Sequence, residues 1–203
     1  METVFTELAG RYCGDSERVA ALWEEIRSHY GQPSRLYHNL AHLEHVYTQL
    51  LDIQPLCADW DSLMFALYYH DVIYEVQRSD NEAQSAELAQ ERLTSLGFPA
   101  EKTARCYAHI LATYGHSLSS DPDSNLFTDA DLSILGQGWD SYQTYLKQIR
   151  QEYAIYPDAL YQPGRKKVLS HFLQMDRIYK TQFFYDRLEA QARENLAREL
   201  ASL

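Results

Sequence analysis

Apolar residues recur along the chain at spacings of three and four, and alternating β-branched runs bounded by turn residues are almost absent. That periodicity predicts helices rather than strands. Ser16 reads as the cap of a helix to about residue 30, with Val19, Leu22, Trp23 and Ile26 on one stripe and Gly31, Gln32 and Pro33 as its stop. Asn39 reads as the cap of a second helix, buried through Leu40, Leu43, Val46 and Leu50. A third carries Trp60, Leu63, Met64 and Leu67 and runs on through His70, Asp71 and Tyr74, so a polar pair interrupts the end of an apolar face. Asp80 or Asn81 opens a helix through Leu96, closed by Gly97 and Pro99, and 101–114 makes another, closed by Gly115. After a polar loop at 117–125, helical patterns cover 127–135, 139–153, 166–179 and the charged 185–203, which reads as a solvated helix docked by Leu188, Leu196 and Leu200. The reading is an all-α helical bundle forming one domain over 1–203. Its core spans about 16–153, a C-terminal helical cap spans about 158–203, and 157–164 is the hinge between them.

Composition narrows the class. Eight Gly and six Pro are too few for a turn-dense sandwich or a disordered chain. At 203 residues the chain buries roughly 70% of its unfolded surface, so it needs neither metal nor disulfide merely to fold, and any metal would be functional. The net charge of −11 repels phosphate backbones and anionic lipid, which weighs against nucleic-acid polymers and membranes as partners but still allows a small anion. Cys13, Cys57 and Cys106 are an odd set without a CxxC pair, which argues for a reducing cytoplasm. The first residues, METVFTELAG, have no basic segment and no long apolar stretch, and the longest apolar run, 63–69, is far short of the ~20 residues that span a bilayer. The expectation is a soluble, unprocessed chain.

The candidate chemistry is concentrated. Five of the eight histidines lie between positions 29 and 70, three of them in YHNLAHLEHV. His38 and His42 are one helical turn apart, His42 and His45 three residues apart, so at most two of these share a target. Histidines on amphipathic helices are more often hydrogen-bonded core or surface residues than ligands. His70 and Asp71 close an apolar stripe, where an ion or a hydrogen-bond partner must satisfy the carboxylate. Asp129 and Asp131 stand in FTDADLSIL, where either can also serve as a helix cap.

The order His, His-Asp, Asp resembles the signature of the HD superfamily of metal-dependent phosphohydrolases. The local match is to its cyclic-nucleotide phosphodiesterases: His38-Asn39-Leu40-Ala41-His42, His70-Asp71, Ala112-Thr113 and Asp131-Leu132-Ser133. A wider pattern, from YHN and HDVIYE to SDNEAQSA, DADLSILG, IRQEY, GRKKVL and Ala192-Arg193-Glu194-Asn195-Leu196, is similar to predicted HD phosphohydrolases of about this length. The resemblance implies an HD-type bundle in which His42, His70, Asp71 and Asp131 bind one divalent metal, with Asp129 in reserve and His38 as general acid. A mixed N/O donor set suits Mn²⁺, Fe²⁺, Co²⁺, Ni²⁺ or Mg²⁺ better than structural zinc. Such an ion activates water and polarises a phosphoryl oxygen. The implied function is hydrolysis of a small phosphomonoester or phosphodiester, with a nucleotide as the expected partner.

This chain departs from the phosphodiesterase pattern after the HD pair, where Val72-Ile73-Tyr74-Glu75 replaces the segment holding a further histidine. His109 and His116 are the candidates for a second metal, His116 the better one if Gly115 ends the helix between them. Glu75 and Glu82 are candidates to orient the attacking water, against a plain reading as solvated helix-end charge. Arg35, Asn39, Thr113, His116 and Arg165 are the candidates to hold the substrate, Arg35 foremost because its sequence neighbours are already in the site. The sixteen tyrosines read mainly as helix-packing residues. Two other functions fit the same residues: an HD-type diiron oxidase, which needs more His ligands, and a regulatory protein that binds metal and nucleotide without turnover.

Overall fold

Helix caps and stops explain where most elements begin and end. The computed structural model describes residues 1–203, which form ten α-helices and two short 3-10 segments without a β-strand, so the protein is all-α. Two compact units divide the chain at 128/129.

The first unit, 1–128, opens with α1 (Glu2–Gly10), a helix the periodicity did not reveal because only Phe5, Leu8 and Ala9 are buried on it. Phe5 anchors it, with ring contacts to Trp23, Phe65 and Tyr68. In α2 (Ser16–Tyr30) the expected stripe is buried, but the cap is Asp15, whose carboxylate accepts from the Glu17 and Arg18 amides at 3.1 Å each. An ionised carboxylate one residue earlier serves the helix N-terminus better than the Ser16 hydroxyl. Asn39 does cap α3 (Leu40–Ile53), its side-chain oxygen accepting from the Ala41 amide at 2.8 Å.

Helix α4 (Trp60–Tyr69) is the centre of this unit: every residue from Ser62 to Tyr69 is buried. A helix apolar all round is a core helix. Its N-terminal end is fixed by Asp123, which accepts from the Ala58 and Asp59 amides at 2.9 and 2.8 Å. The helix stops at Tyr69 with His70 as C-cap, so it does not run on to Tyr74 as the apolar spacing predicts. Asp71 and its followers form an irregular connection to α5 (Asn81–Leu96). Gly97 closes α5 at φ +83°, a left-handed conformation that favours Gly. Helix α6 (Ala100–Ala112) ends before Gly115, and α7 (Pro122–Asp131) begins inside the segment expected as a polar loop.

The second unit, 129–203, contains the end of α7, a 3-10 segment (Leu132–Gly136), α8 (Trp139–Glu152), α9 (Asp158–Gln174) and α10 (Gln182–Ser202). The expected hinge at 157–164 is instead the first turns of α9, with Pro163 inside the helix. Pro163 removes one backbone donor near the helix start, where the exposed Ala159 carbonyl can turn to water. Helix α10 is not merely a solvated charged tail: Phe184, Glu189, Ala192, Asn195, Leu196 and Glu199 form its buried face. Each buried polar group has partners. Glu189 accepts from the Ile178 and Tyr179 amides, Asn195 donates to the Leu135 and Gln137 carbonyls, and Glu199 pairs with Arg165. No helix is long and apolar enough to cross a membrane.

Candidate metal centre

The C-terminal end of α4 and the first turn of α3 build the site in the first unit. His70 Nδ1 lies 2.9 Å from the Leu67 carbonyl one turn back. A carbonyl only accepts, so Nδ1 carries a proton, and in the neutral ring Nε2 keeps the lone pair. That lone pair faces His42 Nε2 at 3.1 Å, on rings that are 1% and 4% exposed respectively. Asp71 follows in the chain, and its Oδ2 stands 3.3 Å from His70 Nε2 and 3.8 Å from His42 Nε2. Burial raises the Asp71 pKa, but the imidazoles of His70, His38 and His42 outweigh it and hold the carboxyl well below the usual carboxylate range. Phe127 sets its ring edge-on to His70, centroids 5.6 Å apart, and walls the site with apolar surface.

The spacing of these donors fits a shared ion. With metal–nitrogen distances of about 2.1 Å, two ligands at a right angle lie about 3.0 Å apart and at a tetrahedral angle about 3.4 Å apart. The measured 3.1 and 3.3 Å fall in that window and 3.8 Å lies just outside it. Two imidazoles and a carboxylate are a donor set for a divalent transition metal.

The connection between α2 and α3 supplies the surroundings, with roles that differ from expectation. Arg35 is buried, and its guanidinium donates from Nη1 to the Asp71 carbonyl at 2.5 Å and from Nη2 to the Val72 carbonyl at 2.9 Å. It lies over the rings of Tyr30 and Tyr74, 5.2 and 5.7 Å from their centroids. A guanidinium engaged with two backbone carbonyls is a framework group, not the anion-binding arm expected from sequence. Tyr30 completes the hold, its hydroxyl accepting from the Asp71 amide at 3.2 Å. Asn39 likewise gives its amide to the backbone, donating to the Leu36 carbonyl at 2.8 Å while its oxygen caps α3. His38 is half-buried and stacked on Tyr74, centroids 4.1 Å apart, with its ring 5.8 Å from that of His42.

The remaining candidates divide. Asp131 ends α7 one turn beyond Phe127, on the same helix face. Asp129 is completely buried and accepts four hydrogen bonds, from the Lys180 and Thr181 amides, Thr181 Oγ1 and Lys180 Nζ, at 2.7–3.3 Å. It is a structural clamp in the second unit, not a reserve ligand. Arg165 forms a two-pronged pair with Glu199 at 2.7 and 3.0 Å and is nearly buried, so it too is a packing residue. Thr113 donates to the Ile110 carbonyl at the end of α6. His109 is fully buried with Nδ1 2.8 Å from Ser124 Oγ, and burial lowers its pKa against the opposing pull of Asp121 and Asp123. Gly115 and His116, at φ +75° and +50°, turn the chain away after α6, so His109 and His116 do not share a helix face. Glu75 is exposed and Glu82 half-buried in the first turn of α5.

Tyr30 and Tyr74 are the site residues that sequence reasoning missed. Their only signal was position: Tyr30 is the last residue before a helix stop, and Tyr74 follows the His-Asp pair. No protein-family model, curated protein or solved structure matches the chain.

Proposed function

We propose that the protein is a metal-dependent phosphohydrolase of the HD type, with His42, His70, Asp71 and Asp131 as ligands of one divalent ion. The observation that carries this reading is the convergence of His42, His70 and Asp71 on one point, with lone-pair nitrogen and ionised oxygen facing each other within 3.1–3.8 Å. Asp131 joins them by the motif order and by its place one turn past Phe127, the ring that abuts His70.

An ion held there supplies Lewis acidity toward a phosphoryl oxygen and lowers the pKa of a water. The chain's own contribution is geometric and protonic. Burial strips the two imidazoles of water, and the carbonyl of Leu67 fixes Nδ1 of His70 as a donor. His38 lies outside the ligand group on the Tyr74 face, where its proton can pass to the leaving oxygen as the phosphorus–oxygen bond breaks. Water adds across that bond: its oxygen bonds to phosphorus, and the proton it releases restores His38. A charge of −11 favours a small phosphoester over a polymer, with a nucleotide preferred by resemblance alone. A cytoplasmic setting is supported by three unpaired cysteines.

The diiron alternative needs additional histidines, and His109 is turned to Ser124 instead. Metal analysis of the purified protein, followed by a phosphatase screen over nucleotides and sugar phosphates with Mn²⁺, Mg²⁺, Co²⁺ and Ni²⁺, tests the proposal. Stoichiometric metal and released phosphate are expected. Metal-free protein that binds none of these ions would overturn it.

A further inference from the structure

The geometry points to Arg35 as the residue that positions Asp71 for the metal, acting through the backbone of the His70-Asp71 turn. This rests on the metal-centre reading above. Asp71 lies beyond the C-cap of α4, where helical hydrogen bonding has ended and nothing intrinsic to the helix dictates its orientation. Both polar atoms of its main chain are nevertheless held by side chains from the α2–α3 connection. The N–H goes to the Tyr30 hydroxyl at 3.2 Å, and the carbonyl takes Arg35 Nη1 at 2.5 Å. Arg35 Nη2 fixes the next carbonyl, of Val72, at 2.9 Å. Two successive carbonyls held by one planar fork restrain the backbone on both sides of Val72, so the Asp71 Cα–Cβ bond keeps its direction toward the two imidazoles.

The residue type follows from that task. A lysine ammonium is a point donor on a flexible stem, whereas a guanidinium delivers parallel N–H bonds and lies flat on aromatic rings. Tyr30 and Tyr74 supply those rings. A cation near the C-terminal end of α4 also meets the negative end of its dipole. Tyr74 is in turn the surface on which His38 stacks, so one guanidinium sets the carboxylate ligand and supports the platform of the proposed acid.

The test compares Arg35→Lys and Arg35→Met with Arg92→Lys, which breaks a two-pronged pair with Glu25 in the same unit and touches no site residue. Two quantities are read: Mn²⁺ affinity by electron paramagnetic resonance, and hydrogen exchange of the Asp71 and Val72 amides in metal-free protein. Loss of a partner that orients a ligand lowers metal affinity by about 10- to 100-fold. Arg35→Met should show that loss together with faster exchange at Asp71, Arg35→Lys a smaller loss, and Arg92→Lys neither. Faster exchange with unchanged Mn²⁺ affinity would make Arg35 a stability residue only and overturn the inference, as would unchanged exchange. If wild-type protein binds no Mn²⁺, the metal reading itself fails, and the clamp is judged on exchange alone.

Discussion

Replacing Asp129 by Asn separates the two aspartates of the DADLS segment and has a magnitude that can be worked from the second unit. Asp129 has no exposed surface, and Lys180 Nζ, 5% exposed, stands 3.3 Å from it. Burial lowers the Lys180 pKa, opposed first by Asp129 and then by Asp131 and Glu189, so the ammonium depends on the Asp129 charge. Removing one member of a buried pair costs about 3–5 kcal/mol because the other is left uncompensated. The Asn oxygen still accepts from a backbone amide, which offsets about 1 kcal/mol. Asp129→Asn should therefore lose about 3 kcal/mol, and at about 2–4 °C per kcal/mol for a chain of this length its melting temperature should fall by about 6–12 °C. Adding Lys180→Met should recover about 2 kcal/mol, since the stranded charge is then gone. Thermal and urea unfolding of the two single variants and the double variant measure this coupling, and Mn²⁺ titration of the folded proteins measures the other half. Asp129→Asn should bind Mn²⁺ like wild type, whereas Asp131→Asn should not. An Asp129→Asn protein that melts normally but has lost Mn²⁺ would reverse the assignment and refute the reasoning.

Further outcomes follow from the same structure. His42→Ala should lose the metal outright, while His38→Ala should keep it and lose about 10²- to 10⁴-fold in turnover, less with a p-nitrophenyl leaving group; equal metal loss would make His38 a ligand. Because burial lowers the folded-state pKa of His109 below its ordinary 6.5, its contribution is complete above that pH and is lost as pH falls toward the folded value. The deficit of His109→Gln against wild type, measured in urea, should therefore shrink from pH 7.5 to pH 5; parallel curves would exclude His109 as the source. Its charged surroundings are Asp121, Asp123, Arg105 and Asp59, which both proteins retain. Gly136→Ala places a methyl 2.6 Å from Leu188 Cβ and 2.8 Å from the Leu188 carbonyl oxygen, so α10 must shift, at about 1–3 kcal/mol by chemical denaturation.

The helical architecture was legible because it is written in spacing: the stripe of α2 and the Asn39 cap of α3 are both where periodicity put them. Periodicity failed where another force took over. It carried α4 past Tyr69, since Val72, Ile73 and Tyr74 resume the apolar run after the polar pair, whereas backbone contacts from Arg35 and Tyr30 shape that turn. At α9 a Pro and a Gly read as a break, yet the helix runs through them: Pro163, its sixth residue, gives up one hydrogen bond to the Ala159 carbonyl and the rest of the ladder continues to Gln174. In the candidate site, the sequence named His42, His70 and Asp71 by their chemistry and order, and the fold brings these three side chains together. Arg35 and Arg165 were found as polar residues, but the fold turns them to backbone carbonyls and to Glu199, because a sequence does not say whether a polar side chain faces a ligand or its own protein.

The contact between His42 and His70 bears on how an ion would enter the proposed metal centre. With the His70 proton on Nδ1, the contact at Nε2 can be a hydrogen bond only if His42 brings the hydrogen. Such a hydrogen would lie where the proposed ion would sit, between two nitrogens 3.1 Å apart, nearly the separation that two ligands of one ion require. On the metal-centre proposal, loading would be a replacement rather than a filling: the hydrogen would leave or move to the far side of the His42 ring.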